Sequence, residues 1–330
     1  MTNPVFPIAG ASTTPPIYPA GSTPNALGTN GFIPEIWSGK LVEKFYAATV
    51  LSAISNTDYE GEIKNQGDKV FIRTKPTITI NDYRADGDLS VQRPEGSYVE
   101  LDINQAKYFN LILDDVMEVQ SDLNVLSIWA DDASEQFKIT VDTAVLLGML
   151  GTAVAANRGT AAGAISGSIN LGVTGTPLAV VANSPSVGQV DILDVLLRLG
   201  QTLDEQNIPE TGRWVVLPTW AATLIKRSEL RQAYLSGDAV SMLRNGRMGM
   251  VDRFTLYSSN LLPSGTNVGA SGEYVIYAGH AHGLTFASQF TKLETIRSER
   301  TFGTLLRGLQ VYGYKTVDGK ALAQAIVTKA

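Results

Sequence analysis

Apolar residues recur three or four apart from Asn124 to Val154: Val125, Ile128, Trp129, Ala133, Phe137, Val141, Ala144, Val145 and Gly148 share a stripe. Ser127, Asp131, Ser134, Glu135, Lys138 and Asp142 fill the other side. The spacing predicts one amphipathic helix over 124–154, roughly 45 Å long at 1.5 Å per residue. That is long for a compact domain, and the helix reads as a strut lying on a sheet. Asp132 and Gln136 interrupt a coiled-coil seam, and the charges at Asp131, Asp132, Glu135, Lys138 and Asp142 exclude a membrane span.

A period of two governs Gly67 to Ile80 and Ser97 to Ile103, with Val70, Ile72 and Thr74 on one face of the first run and Val99, Leu101 and Ile103 in the second. Between them Asn81 to Gly96 carries Asp82, Arg84, Asp86, Asp88, Arg93 and Glu95 with Gly87 and Pro94, so a long β-hairpin with an exposed tip is expected. A two-stranded ribbon is marginal alone in water and must rest on something. Arg73 and Lys75 against Glu100 and Asp102 suit cross-strand pairing, although a solvated sheet face explains those four equally well. Arg84 and Arg93 near the tip, with Arg73, Lys75, Glu100 and Asp102, are candidate inter-subunit contacts.

Before the hairpin, Ile36, Trp37, Leu41, Phe45, Ala48 and Leu51 share a helical face with Pro34 in its first turn, which predicts a packing helix over Ile33 to Ala53. Lys107 to Leu113 reads as a strand leading to the strut. After the strut, Gly151 to Gly188 is rich in Gly, Ala and Ser and nearly uncharged, joining two differently built halves. Gln189 to Gln206 is a second amphipathic helix, stopped by Asn207 and Pro209. Strands at Arg213 to Leu217, Phe254 to Ser258 and Tyr274 to Tyr277 alternate with helices at Pro218 to Lys226, Ser228 to Leu235 and Ala239 to Leu243. The chain returns to strands at Leu293 to Ser298, Leu305 to Val317 and Ala321 to Val327.

The first 34 residues contain no charged side chain and seven of the 14 prolines. Proline removes donors and fixes φ, so this arm is expected to be extended. Disordered tails are usually charged, whereas this one carries Val5, Phe6, Ile8, Ile17, Tyr18, Leu27 and Phe32, which favours an arm lying on another surface over a passive tail. Extended, it reaches roughly 100 Å. Phe6, Tyr18 and Phe32 are therefore candidate contacts with a neighbouring subunit.

Composition changes this picture little. The 330 residues, 44% hydrophobic and 18% charged, can bury a sizeable core. A formal net charge of -6 argues against tight non-specific binding of nucleic acid, so any DNA nearby is contained rather than gripped. The lack of cysteine removes disulfides, thiolate metal sites and a cysteine nucleophile, and fits a reducing cytoplasm. No signal-peptide pattern and no run of 18 apolar residues is present.

Candidate chemistry is sparse. His280 and His282, the only histidines, have spacing for two metal ligands but lack nearby partners, and read as polar residues at a turn. No Gly-x-Ser-x-Gly elbow, dinucleotide fingerprint or phosphate loop occurs. Asp114 with Asp115 and Asp131 with Asp132 are adjacent carboxylates that point apart on a strand or helix. No catalytic residue, cofactor site or metal site is expected.

The order of parts, together with the stretch from Gly246 to Pro263, then Tyr277 to His280 with Gly283 to Ala287, Glu294 to Arg297, and Gly308 to Gly313 with Ala321 to Ala323, closely resembles the major capsid proteins of tailed phages. The resemblance covers essentially the whole chain. It implies an α+β architecture of the Hong Kong 97-type: an N-arm (1–34), an N-terminal helix (35–55), an extended loop (56–105), a peripheral domain (106–172 and 288–330) with spine helix 124–154, and an axial domain (173–287). It also implies self-assembly into hexamers and pentamers of an icosahedral head that encloses double-stranded DNA, with portal and decoration proteins as partners. Met1 leads directly into the arm, which implies a separate scaffolding protein. No lysine lies between Lys75 and Lys107, so locking is expected to be non-covalent. An encapsulin-like compartment shell shares the fold and is the nearest rival; a soluble α/β hydrolase is a distant one.

Overall fold

The computed structural model describes residues 46–330 apart from 48, 59–68, 84–89, 116–124, 184 and 237–249. The expected N-arm, most of the expected N-terminal helix and the expected helix Ala239 to Leu243 lie outside these residues. Within them the chain builds helix α1 (Leu51–Ile54), strands β1 (Lys69–Arg73), β2 (Tyr98–Asp102) and β3 (Gln105–Asp114), and helix α2 (Val125–Gly148). There follow β4 (Leu178–Val181), β5 (Gln189–Asp191), helix α3 (Ile192–Glu205), β6 (Arg213–Leu217) and helix α4 (Thr219–Ser236). The chain closes with β7 (Met250–Val251), β8 (Phe254–Ser258), β9 (Glu273–His280), β10 (Leu284–Arg297), β11 (Gly303–Thr316) and β12 (Leu322–Lys329).

The strands form three sheets: the hairpin β1-β2, a long antiparallel sheet β10-β11-β3, and a mixed seven-stranded sheet ordered β5-β4-β12-β9-β6-β8-β7. All five residues of β6 are buried, because successive side chains face two different cores. Val215, Leu217, Ile276, Ala278, Ala323 and Ala325 point to the side covered by α3 and α4, where Ile192, Val195, Leu196, Leu199 and Leu203 line the α3 stripe. Trp214, Val216, Val275, Tyr277, Leu322 and Ile326 point to the other side, against α1 and the last turns of α2. The seven-stranded sheet is thus the middle layer of three.

Helix α2 is the strut, shorter than its apolar spacing suggested. It spans 24 residues, roughly 36 Å, and ends at Gly148. Tyr314 crowds the α-carbon of Gly148, the Tyr277 hydroxyl donates to the Leu146 carbonyl (2.9 Å), and Gly151 takes a left-handed φ of 77° that turns the chain away. The helix also rests on the three-stranded sheet, where the rings of Phe137 and Phe109 lie 5.2 Å apart.

Four other expectations are corrected. Tyr46, Ala47, Thr49 and Val50 are not helical, and only Leu51–Ile54 is; the Val50 and Leu51 N–H groups are taken by the Asp142 carboxylate, so helix starts afresh there. Asp142, read as a solvent-side residue of the strut, is buried for the same reason. Gln189–Asp191 is a strand pairing in parallel with β4, and Asp191 then caps α3 by accepting from the Leu193 N–H (3.3 Å). Finally, β12 lies between β4 and β9 in the seven-stranded sheet, so the C-terminal strand belongs to the α/β lobe and not with the three-stranded sheet.

Candidate functional site

The hairpin has two parts with different surroundings. At its base Val70 pairs with Leu101 and Ile72 with Val99, and this face packs with Ile103, Ala287, Val311 and Val317 of the same subunit. Gly313 of β11 lets the backbone pass, since a side chain there would strike the Asp102 carbonyl. Past Arg73 the arms keep their register with few main-chain bonds. The Thr74 N–H donates to the Ser97 carbonyl (2.8 Å), and Asn81 Nδ2 donates to Ser90 Oγ (3.1 Å). Between these, the Gln92 carboxamide does the work of a facing peptide: its Oε1 accepts from the Thr79 N–H (3.0 Å) and its Nε2 donates to the Thr79 carbonyl (2.7 Å).

This distal ribbon leaves its own subunit's core. Ile78, Ile80 and Val91 continue the alternation of the buried base, yet are 62%, 90% and 88% exposed. On the opposite face Tyr83 is exposed, and at the base Phe71 and Tyr98 meet edge to face at 5.2 Å while remaining exposed. A ribbon that exposes Ile78, Ile80 and Val91 on one face has a surface that water does not favour.

The charged candidates divide. Lys69, not Arg73 or Lys75, pairs with Glu100 (2.6 Å) and Asp102 (3.3 Å), because the register sets Lys69 opposite Asp102 and Arg73 opposite Tyr98. Those carboxylates raise the Lys69 ammonium above its usual range, the Glu100 hydrogen bond first. Arg73, Lys75 and Arg93 are exposed along the ribbon. Arg84, Phe6, Tyr18 and Phe32 lie outside the described residues.

At the far end of the three-stranded sheet, Arg297 grips Asp115 with two nitrogens, Ser298 and Thr301 close the β10-β11 turn, and Phe302 is exposed. On the sheet, Glu294 receives Lys292 (2.7 Å) and Arg307 (2.5 Å), and these bonds hold its carboxyl below the usual range. His280 Nδ1 accepts from the His282 N–H (3.2 Å), the two residues forming a turn at the end of β9, and burial lowers the His280 imidazole. Among the described residues no three His, Cys, Asp or Glu side chains converge as metal ligands.

Composition and spacing point to the cations here and not to the exposed apolar groups Phe71, Ile78, Ile80, Tyr83, Val91 and Tyr98. Their signal was present in the alternation of Ile78 and Ile80, which only the length of the hairpin distinguishes from a buried face.

A long hairpin carried off the subunit, a strut helix on a three-stranded sheet and a two-core α/β lobe define the Hong Kong 97-type class of viral shell proteins. The chain belongs to the phage capsid protein family, whose model matches residues 98–325. Among solved structures it is similar to one from Mycobacterium phage Che8, at 26% identity and a TM-score of 0.69, covering 90% of this chain and 98% of that one. The capsid of cyanophage P-SCSP1u is similar at 14% identity and a TM-score of 0.69, over 94% of this chain and 100% of that one. The capsid of a native GTA particle matches at 12% identity and a TM-score of 0.64, over 94% of this chain and 100% of that one. Comparison with curated protein sequences gives no match.

Proposed function

We propose that this chain, a major capsid protein, assembles into hexamers and pentamers that close as the icosahedral head of a tailed phage around double-stranded DNA. The observation that carries the reading is the distal hairpin. Ile78, Ile80 and Val91 are largely exposed on the described subunit, and covering them stabilises a contact by roughly 1.5–3 kcal/mol per side chain. A neighbouring copy supplies that cover. The acidic net charge of -6 supports a container for DNA over a DNA-gripping surface. Partners in this reading are further copies of the chain, a scaffolding protein, a portal protein and decoration proteins, with assembly in the host cytoplasm and residence in the virion. The chain acts as a structural protein and not as an enzyme. An encapsulin-like compartment is the second reading; the length of the hairpin and the uncharged proline-rich arm favour a phage head.

Electron microscopy of the expressed chain, alone and with a co-expressed scaffolding protein, tests this. Closed shells are expected for the wild type. The double substitution Ile80→Asp with Val91→Asp should abolish shells while changing subunit stability by no more than about 0.5 kcal/mol, as for other exposed sites. Shells of normal size from the double variant would refute the role given to the ribbon.

A further inference from the structure

Two short turns carry the chain between the seven-stranded sheet and the three-stranded sheet. Ala281–Gly283 leads from β9 into β10, and Gly319–Ala321 leads from β11 into β12. They lie side by side: the Val317 N–H donates to the Gly283 carbonyl (3.0 Å), and a side chain on Gly283 would meet Leu322 and Ala321. Each turn is capped by the side chain before it, His280 Nδ1 accepting from the His282 N–H (3.2 Å) and Asp318 Oδ1 from the Lys320 N–H (2.9 Å). The histidine cap is conditional, because a ring nitrogen accepts only while it carries no proton.

The surroundings of the His280 ring favour its neutral form. It is half-buried, and in the β6-β9 register its residue pairs with Arg213, whose guanidinium is wholly buried. Gly212 leaves room for the ring, since a side chain there would come within 3.2 Å of Nε2. The nearby carboxylates are engaged elsewhere: Asp204 with Arg213 (2.7 Å) and Arg253 (2.9 Å), Glu210 with Arg253 (2.7 Å), and Asp318 with the Lys320 N–H. The remaining charged or titratable groups on the elements packed here are His282 and Lys320. Burial, the His282 ring and the Arg213 cation lower the His280 imidazole, and a hydrogen bond to the Thr211 backbone only partly opposes them.

We propose that the joint between the two sheets is a proton-sensitive device: His280 caps the 281–283 turn while its ring is neutral, and protonation in mild acid withdraws the cap and loosens the turn. The proton comes from solvent and lands on Nδ1, the nitrogen that the His282 N–H needs. A released ring stands in water and ionises near about 6.5. The capped ring takes the proton less readily, so the cap is complete above about 6.5 and is lost as pH falls through the lowered value. Two crossings between the sheets meet at this point, so acid weakens the hold of one sheet on the other. A shell of this chain would then yield more readily in acid; that last step rests on the capsid reading, and the response within a subunit does not.

Hydrogen exchange of peptides covering 278–286, in the full-length chain and corrected for intrinsic rates, tests it between about pH 5 and about pH 8. Wild-type protection should be at least about threefold lower at the acid end. His280→Asn supplies an oxygen acceptor that does not titrate, so it should keep the protection and flatten the profile. His282→Gln should keep the slope, and because it leaves His280 as the sole histidine, proton NMR of that variant reads the ring directly, with an expected midpoint below about 6.5. A flat wild-type profile overturns the proposal, as does a slope retained in His280→Asn, a slope lost in His282→Gln, or a midpoint at or above about 6.5. Should His280→Asn fail to fold, the wild-type profile and the titration in His282→Gln still decide.

Discussion

Glu205, at the end of α3, holds a loop more than 35 residues away in sequence: its Oε2 accepts from the Ile165 N–H (2.8 Å) and the Ser166 N–H (3.0 Å), and its Oε1 from Gln201 (3.1 Å). The Ser166 and Ile165 N–H groups come first among the causes that hold the carboxyl down to about 2. Its folded pKa lies below the ordinary value near 4.3, so its contribution is full above about 4 and is lost as pH falls toward about 2. Glu205→Gln should therefore destabilise the subunit by on the order of 1 kcal/mol at neutral pH, with the difference vanishing near about pH 2. Thermal melts of both proteins across that range check it; a difference independent of pH would mean that shape, not charge, holds the loop. Such single-residue roles were the least legible in the sequence. Asp142 looked like a solvent-side charge because its partners, Val50 and Leu51, are about ninety residues away. Lys69 was passed over for Arg73 because hairpin register is fixed by pairs that composition does not reveal.

The elements themselves were largely readable where a period was sustained. The strut, the hairpin, β3, α3 and β6 follow from alternation or helical spacing, and errors concentrate at ends, where local chemistry decides: Gly148 and Gly151 stop α2, and Asp191 moves the start of α3. Gly313 illustrates how one position couples two elements. Its missing side chain lets the Asp102 carbonyl of β2 cross β11, and the obstructing atoms are backbone, which cannot rotate aside. Gly313→Ala should cost about 1–3 kcal/mol, as overpacked sites do, and should loosen the hairpin base from β11. Chemical denaturation with hydrogen exchange of β1 and β2 measures both; unchanged stability would mean that the base does not rest on β11 as described.

At the scale of the whole molecule, the position of β12 was not legible. Local pattern gives a strand, but its place between β4 and β9 is a long-range pairing, set by the need to bury both faces of a sheet between two cores. The family, by contrast, was readable from the order of motifs. What the structure adds is the surface that a shell must cover, the apolar face of the ribbon at Ile78, Ile80 and Val91. Because the chain has no cysteine, Ile80→Cys introduces a sole thiol at the centre of that surface. Its rate of reaction with a maleimide, compared between free subunits and assembled particles, is the most direct measurement. The account predicts fast labelling in the subunit and strong protection in the particle; equal rates in both would contradict it.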